Sequence, residues 1–261
     1  MPEGHGRGAT LETPVRTAER PRAERLSVAP QHFYRTAALP CPYLPGKVER
    51  KLVTELAGRH AMPFYNELSR AGFRRSHHLA YRPACIGCNA CVPVRIPVAD
   101  FVESRSLRRI RNTNRDLLRR IAEPDATLEQ FRLFQRYQRL RHADSDMAAM
   151  TFGDYQAMVC DSPVATKVIE LRDGAGALLG TGLYDPLDDG LSAVYSFYAP
   201  EQSKRSLGTL LVLALVDEAR RKQLAYVYLG YWIAGSAKMS YKARFRPLEA
   251  LKTKGWRRIL D

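Results

Sequence analysis

Apolar positions recur along this chain at two different periods, and the change of period divides it. Between Leu128 and Arg141, Leu128, Phe131, Phe134, Tyr137 and Leu140 fall three to four residues apart, which gathers them on one face of a helix. After a polar stretch from Ala143 to Met150, read as mobile, the period shortens. Val164 to Leu171, Ala177 to Tyr184, Leu191 to Tyr198 and Ala225 to Tyr231 read as strands. Asp173-Gly174 and Asp189-Gly190 supply the turns between the first three. Leu207 to Arg221, between the third and fourth strands, is apolar enough to be a buried helix.

The first half is more broken. From His32 to about Asp100 it reads as a turn-rich module with helices expected around Val48 to Ala57 and Phe64 to Ala71, then a strand over Val92 to Phe101. A helix is expected from Ser106 to Ala122. At ~100° per residue it places Leu107, Ile110, Asn114, Leu117, Leu118 and Ile121 on one side. Arg105, Arg108, Arg109, Arg111, Arg115, Arg119 and Arg120 spread over the other side, where only Asp116 interrupts them. An ordinary solvated face mixes signs, so this one points to a nucleic-acid backbone. Residues 1–30 are poor in large apolar side chains and broken by Pro14, Pro21 and Pro30, as in a disordered basic leader. The chain is thus expected to be α+β. A cysteine-containing module over residues 31–103 precedes a domain over 104–261. In that domain three antiparallel strands, a helix and a splayed strand give the order of an acetyltransferase-like (GNAT) fold with a mixed, mostly antiparallel sheet.

Charge and length narrow the function. The 261 residues carry 41 Lys and Arg against 27 Asp and Glu, a net charge of +14 that attracts polyanions. No apolar run approaches the ~18 residues of a membrane span, and the N-terminus has no apolar core of an export signal. A cytoplasmic protein without a membrane partner is expected. Five cysteines in such a chain read as reduced thiols or metal ligands, not disulfides.

Cys85, Cys88 and Cys91 stand at C-x2-C-x2-C spacing between Pro83 and Pro93. Ferredoxin-like spacing would put a fourth cysteine where Arg95 stands. Cys41 could complete a set of four thiolates for a zinc ion or an iron-sulfur cluster; plain structural thiols are the alternative. Near the other end, Tyr228-Leu-Gly-Tyr-Trp232 leads into Lys238, Lys242, Arg244 and Arg246, ending at Pro247. Rings interleaved with cations suit a single-stranded nucleic-acid end, bases stacking while phosphates meet charge; the alternative is that Tyr228 and Trp232 pack the core.

These blocks, with Phe33-Tyr34, Cys41-Pro-Tyr-Leu-Pro-Gly46, Glu49-Arg50, Gly72-Phe-Arg-Arg-Ser76 and Ser104-Arg-Ser106, closely resemble the aminoacyl-tRNA–protein transferases of the arginyltransferase type, above all their bacterial leucine-transferring branch. The resemblance runs from about residue 31 to the C-terminus and implies the GNAT-like domain. It also implies transfer of leucine from leucyl-tRNA to the α-amine of proteins or peptides beginning with Asp or Glu. The product would enter an N-degron route of protein degradation through a downstream protease adaptor. Nothing in the residues separates a leucyl from an arginyl donor, so arginyl transfer remains open. A CoA-dependent N-acetyltransferase is a further alternative. Arg205-Ser-Leu-Gly-Thr-Leu210 speaks against it, because Leu210 stands where a pyrophosphate loop wants glycine. A non-catalytic RNA-binding module and a metal-centred redox protein each explain only part of the pattern.

For this reaction no cofactor is required, because positioning an amine against an ester and stabilising the oxyanion suffice. Asp185 is the candidate base or amine anchor, with a plain turn role as alternative; Ser196, Tyr198 and Tyr231 are candidate donors to the oxyanion. An acidic acceptor calls for cations. Arg74, Arg75 and Arg82, with Lys238, Tyr241 and Lys242, are the substrate-binding candidates. Arg105, Arg108, Arg109, Arg115, Arg244 and Arg246 are those for tRNA, and Cys41, Cys85, Cys88 and Cys91 those for metal.

Overall fold

The computed structural model describes residues 31–143 and 145–259, so the expected leader at 1–30 lies outside the described residues. His32–Asp261 cluster as one compact unit. The unit opens with short strands β1 (Tyr34–Arg35), β2 (Leu39–Pro40) and β3 (Val48–Glu49), followed by β4 (Lys51–Glu55). Helix α1 (Ala61–Arg70), β5 (Arg74–Ser76), β6 (Leu79–Pro83), β7 (Val92–Pro97), helix α2 (Arg105–Thr113) and β8 (Leu118–Ala122) follow. Then come α3 (Leu128–Arg141), α4 (Phe152–Cys160), β9 (Lys167–Arg172), β10 (Leu178–Pro186) and β11 (Gly190–Tyr198). Helix α5 (Leu207–Arg221), β12 (Tyr226–Trp232), β13 (Glu249–Lys252) and β14 (Gly255–Arg258) complete the order.

An eight-stranded sheet runs β14-β13-β7-β12-β11-β10-β9-β8, and a four-stranded one runs β1-β4-β6-β5. The β9-β10-β11 meander is antiparallel, and α5 carries the chain from β11 to its parallel neighbour β12. This is the acetyltransferase-like order expected from the hydrophobic pattern. The stretch expected as a separate module up to residue 103 is stitched into the large sheet, with β7 paired to both β12 and β13. Arg95, in the place of the missing fourth cysteine, secures that junction. Its guanidinium bonds Glu249 at 2.8 Å and lies 3.4 Å from the centre of the Tyr226 ring.

Helix α5 supplies the centre of the core, with Leu207, Leu211, Leu213 and Val216 buried. It presses so closely on β10 that a side chain at Gly182 would meet Leu211 and Ile169 at 3.6 and 3.0 Å. Helix α3 starts on a capping box, Thr127 and Gln130 bonding each other's backbone amides, which satisfies two donors that a bare helix start leaves open. It buries Phe131, Phe134 and Tyr137, as its spacing predicts, but leaves Leu128 and Leu140, at its two ends, 56% and 66% exposed.

Two expectations fail. Val48 to Ala57 is not helical: its core, Lys51–Glu55, pairs with β6 and β1 as a central strand, tertiary pairing overriding an ambiguous local pattern. The arginine helix stops at Thr113, about half its expected length. Asn114 ends it by turning its side-chain amide onto the carbonyls of Ile110 and Arg205, at 2.8 and 2.9 Å. The remainder, β8, is an edge strand on β9, so Leu118 stands 67% exposed where a helical stripe would have buried it. Helix α4, opened by its own capping box at Thr151 and Asp154, has no counterpart among the expected elements.

Candidate functional site

The parallel pair β11 and β12 is joined only where Gly190–Ser192 face Tyr226–Tyr228. Beyond that point the carbonyls of Ala193, Val194 and Leu229 need another donor, and Arg74 on β5 supplies it. One terminal nitrogen donates to Leu229 at 3.1 Å; the other donates to Ala193 and Val194 at 2.7 and 2.8 Å. Gly230 makes room for it. With φ of +71° it sits beside a bulge in β12, and a Cβ there would fall 1.7 Å from the guanidinium. Arg74 has no carboxylate partner among the described residues, so its charge stays uncompensated.

Arg75, the next residue, leaves the strand on the opposite side and meets the opposite environment. It grips Asp185 with two bonds of 2.7 and 2.8 Å, and Thr166 adds a third bond to that carboxylate at 2.8 Å. Both charged side chains are essentially without solvent exposure. Asp185 is therefore committed to a buried ion pair, which corrects its expected role as a general base. Its neighbour Tyr65, fully buried and bonded to Ser192 at 3.1 Å, closes that region.

A cavity of about 600 Å³ opens along the splay. Of the expected site residues Arg74, Arg75, Ser196, Tyr231, Lys238, Tyr241 and Lys242 line it. Among the described lining residues there is no Asp or Glu. Arg74 and Lys238 bring positive charge to the lining. Lys242, on the short turn Ser240–Arg244, is buried, and its Nζ donates to the Tyr231 carbonyl at 2.6 Å. Burial, reinforced by the Arg74 charge, drives its pKa well below the ordinary lysine value. The lining also includes the apolar side chains Met147, Met150, Met158, Ile169, Leu183 and Leu215. His142 also lines the cavity, its ring 5.4 Å from that of Tyr137. Burial first, then Lys238 and Arg141, hold its pKa below the ordinary value, so the imidazole is neutral at pH 7.

Several expected residues have other roles. The Tyr231 hydroxyl is buried and directed at the carbonyls of Gly72 and Tyr81, at 2.9 and 3.1 Å, so it is no donor to a bound substrate. Tyr198 packs against Tyr137, 5.0 Å between ring centres, and against Gly208 at the start of α5, where a Cβ would lie 2.8 Å from the ring. At the start of the same helix Leu210 is buried, and Arg205 just before it is paired with Asp116 at 2.8 Å. Arg82 is exposed, 5.6 Å above the Phe73 ring, and does not line the cavity. Tyr228 and Trp232 pack into the sheet, the former 5.7 Å from Trp256.

Among the arginines expected to meet RNA, Arg105, Arg108, Arg109 and Arg115 are exposed and pair with no carboxylate among the described residues. Arg111 and Arg119 instead converge on Asp217 of α5, at 2.7 to 2.8 Å, and anchor the segment. Arg244 is exposed, whereas Arg246 braces the C-terminal turn through the carbonyls of Ala243 and Ile259.

The cysteines lie beside the cavity, which Pro42 and Tyr43 of their module line. Burial, then Cys41, Cys85 and Cys88, push the Cys91 thiol up to about 11, which keeps it protonated. Cys85 is engaged with the backbone of Arg50, whose amide approaches its sulfur at 3.4 Å. No group of three or more His, Cys, Asp or Glu among the described residues is arranged to hold a metal ion.

The hydrophobic pattern carries no sign of Gln138, His142 and the three methionines as lining residues. They come together only when α3, the turn after it and α4 fold over the meander; the one local signal is the methionine-rich polarity change at residues 147–158.

Residues 39–109 match the model for the N terminus of arginine-tRNA-protein transferases, and residues 129–252 match that for their C terminus. The chain is 56% identical over 230 residues to an aspartate/glutamate leucyltransferase of Paramagnetospirillum magneticum, covering 88% of this chain and 94% of that one. It is 54% identical to a protein of the same name from Granulibacter bethesdensis, over 87% of this chain and 85% of the other. Among solved structures, L-PGS from Bacillus licheniformis aligns with a TM-score of 0.45 at 12% identity, over 69% of this chain and 52% of that one.

Proposed function

This chain belongs to the arginine-tRNA-protein transferase family, and on that premise we propose that it moves leucine from leucyl-tRNA to the N-terminal α-amine of proteins beginning with Asp or Glu. The observation that carries this reading is the cavity's mixed lining: the uncompensated Arg74 and a set of methionine and aliphatic side chains, with no carboxylate among the described lining residues. A leucyl side chain gains from the methionine and aliphatic side chains, at roughly 25 cal/mol per Å² of apolar surface covered. An arginyl guanidinium would be desolvated there with no acidic partner. The side-chain carboxylate of an Asp or Glu terminus neutralises the Arg74 charge that the fold leaves open.

The reaction then follows from positioning. The acceptor amine, pKa ~7.7 to 8.0 when free, attacks the ester carbonyl; the peptide bond forms as the bond to the tRNA ribose oxygen breaks. The proton shed by the amine has a neutral acceptor in His142, and the ribose oxygen takes one in its place. Ser196 lines the cavity from β11 and is the candidate donor to the oxyanion. The exposed arginines of α2, with Arg244, serve the tRNA backbone. The donor places the reaction in the cytoplasm, with a leucine-reading protease adaptor downstream.

The test incubates the protein with peptides beginning Asp, Glu, Lys or Ala and with labelled leucyl-tRNA or arginyl-tRNA. Leucine on the Asp and Glu peptides alone is the expected result. Incorporation of arginine at a comparable rate, or no incorporation from either donor, overturns the assignment.

A further inference from the structure

The cavity lining carries a polar atom that the reaction as described leaves unused. Gln138, on α3, is fully buried, and its Nε2 donates to the Tyr195 hydroxyl at 2.5 Å. Its Oε1 is buried and has no hydrogen-bond partner within the protein. Ser145 Oγ, at the same cavity, is in the same position. Such orphaned acceptors are costly in a folded interior and mark a place where a ligand donor belongs. They line the same cavity as Met147, Met150 and Met158, assigned above to the donor's alkyl chain, and α3 packs on the turn that carries Met147. In an aminoacyl ester the carbon that bears the alkyl chain also bears the α-amine. A lining that seats the chain therefore brings the amine to an acceptor in the same cavity. Amide and hydroxyl oxygens accept from an ammonium without adding a charge to a cavity that must also admit a carboxylate.

We propose that Gln138, supported by Ser145, recognises the free α-amine of the donor and so distinguishes an aminoacyl-tRNA from one whose α-nitrogen is acylated, peptidyl-tRNA included. This rests on the leucyl-donor reading above. It would explain how a transferase with an undemanding apolar pocket avoids consuming growing chains: an amide nitrogen offers one proton and carries a bulky acyl group where the ammonium offers three protons.

The experiment measures transfer to an Asp-initiated peptide from leucyl-tRNA, from isocaproyl-tRNA, which keeps the alkyl chain and lacks the amine, and from N-acetyl-leucyl-tRNA. Wild type, Gln138→Leu and Gln138→Glu are compared. Wild type should prefer leucyl-tRNA over both analogues by roughly ten- to a hundredfold in kcat/KM, the range for a hydrogen bond to a charged group. Gln138→Leu should lower leucyl transfer to the isocaproyl level while leaving isocaproyl transfer where it was; Gln138→Glu should keep the preference. If wild type uses all three donors alike, or Gln138→Leu slows leucyl and isocaproyl transfer by one factor, the proposal is overturned. The wild-type ratio decides even if a variant fails to fold. Absence of leucyl transfer by wild type would instead remove the underlying reading.

Discussion

Arg74 and Arg75 are neighbours in one three-residue strand, yet they do opposite things. Arg75 meets a carboxylate of matching geometry and disappears into a neutral, fully buried pair with Asp185. Arg74 meets only backbone carbonyls and keeps its charge, with Lys242 near enough for the two to repel. One arginine holds the cavity's frame, and the other gives the cavity its sign. The difference shows that a buried cation signals function when its compensation is missing, not when it is merely buried.

The largest effect should come from breaking the neutral member. Arg75→Ala leaves Asp185 charged and unpaired in the interior and should cost about 3–5 kcal/mol of stability, read from denaturant unfolding. Arg75→Met with Asp185→Leu should recover most of that loss. Next, Gly230→Ala should displace Arg74 and strain a left-handed backbone position. Transfer should fall roughly a hundredfold for a displacement of the order of 1 Å, with a much smaller change in stability than Arg75→Ala.

Lys242→Met sharpens the contrast through pH. Between the depressed folded pKa of Lys242 and the ordinary lysine value of ~10.4, the unfolded chain holds the extra proton. Stability therefore rises with pH across that window and levels off below the folded pKa, where both states hold the proton. Lys242→Met should remove this slope and be no less stable than wild type near neutrality, as unfolding curves taken from pH 6 upward would show. The smallest effect belongs to the surface. Arg105→Ala, Arg108→Ala and Arg109→Ala should leave stability unchanged and weaken tRNA binding. The slope of log affinity against log salt should fall by about 1 for each phosphate that is no longer neutralised.

Much of this frame is legible in the residues. The meander, α3, α5 and the splayed β12 follow from apolar spacing alone, and Lys242, Lys238 and Arg74 stand out as cations in aromatic surroundings. What cannot be read is pairing. Asp185 has the right position and the wrong expected task, because its partner lies 110 residues away in sequence. Tyr231 looks like a free hydroxyl until the fold brings the carbonyls of Gly72 and Tyr81 to it. The arginine stretch beyond Thr113 keeps a helical pattern that the buried Asn114 interrupts. The apolar lining is invisible because Met147, Met150 and Met158 lie in a segment without clear periodicity and acquire meaning only when they share a cavity with Ile169 and Leu183.

The central claim is that the open charge of Arg74, with Lys242 taking up its proton against the incoming carboxylate, selects the acceptor, and that the buried ion pair does not. It is tested most directly by kcat/KM for peptides beginning with Asp and with its neutral isostere Asn, in wild type and Lys242→Met. Wild type should favour Asp, and Lys242→Met should shrink that preference on the order of a hundredfold by slowing the Asp peptide alone. Equal slowing of both peptides, or an unchanged ratio, would contradict it.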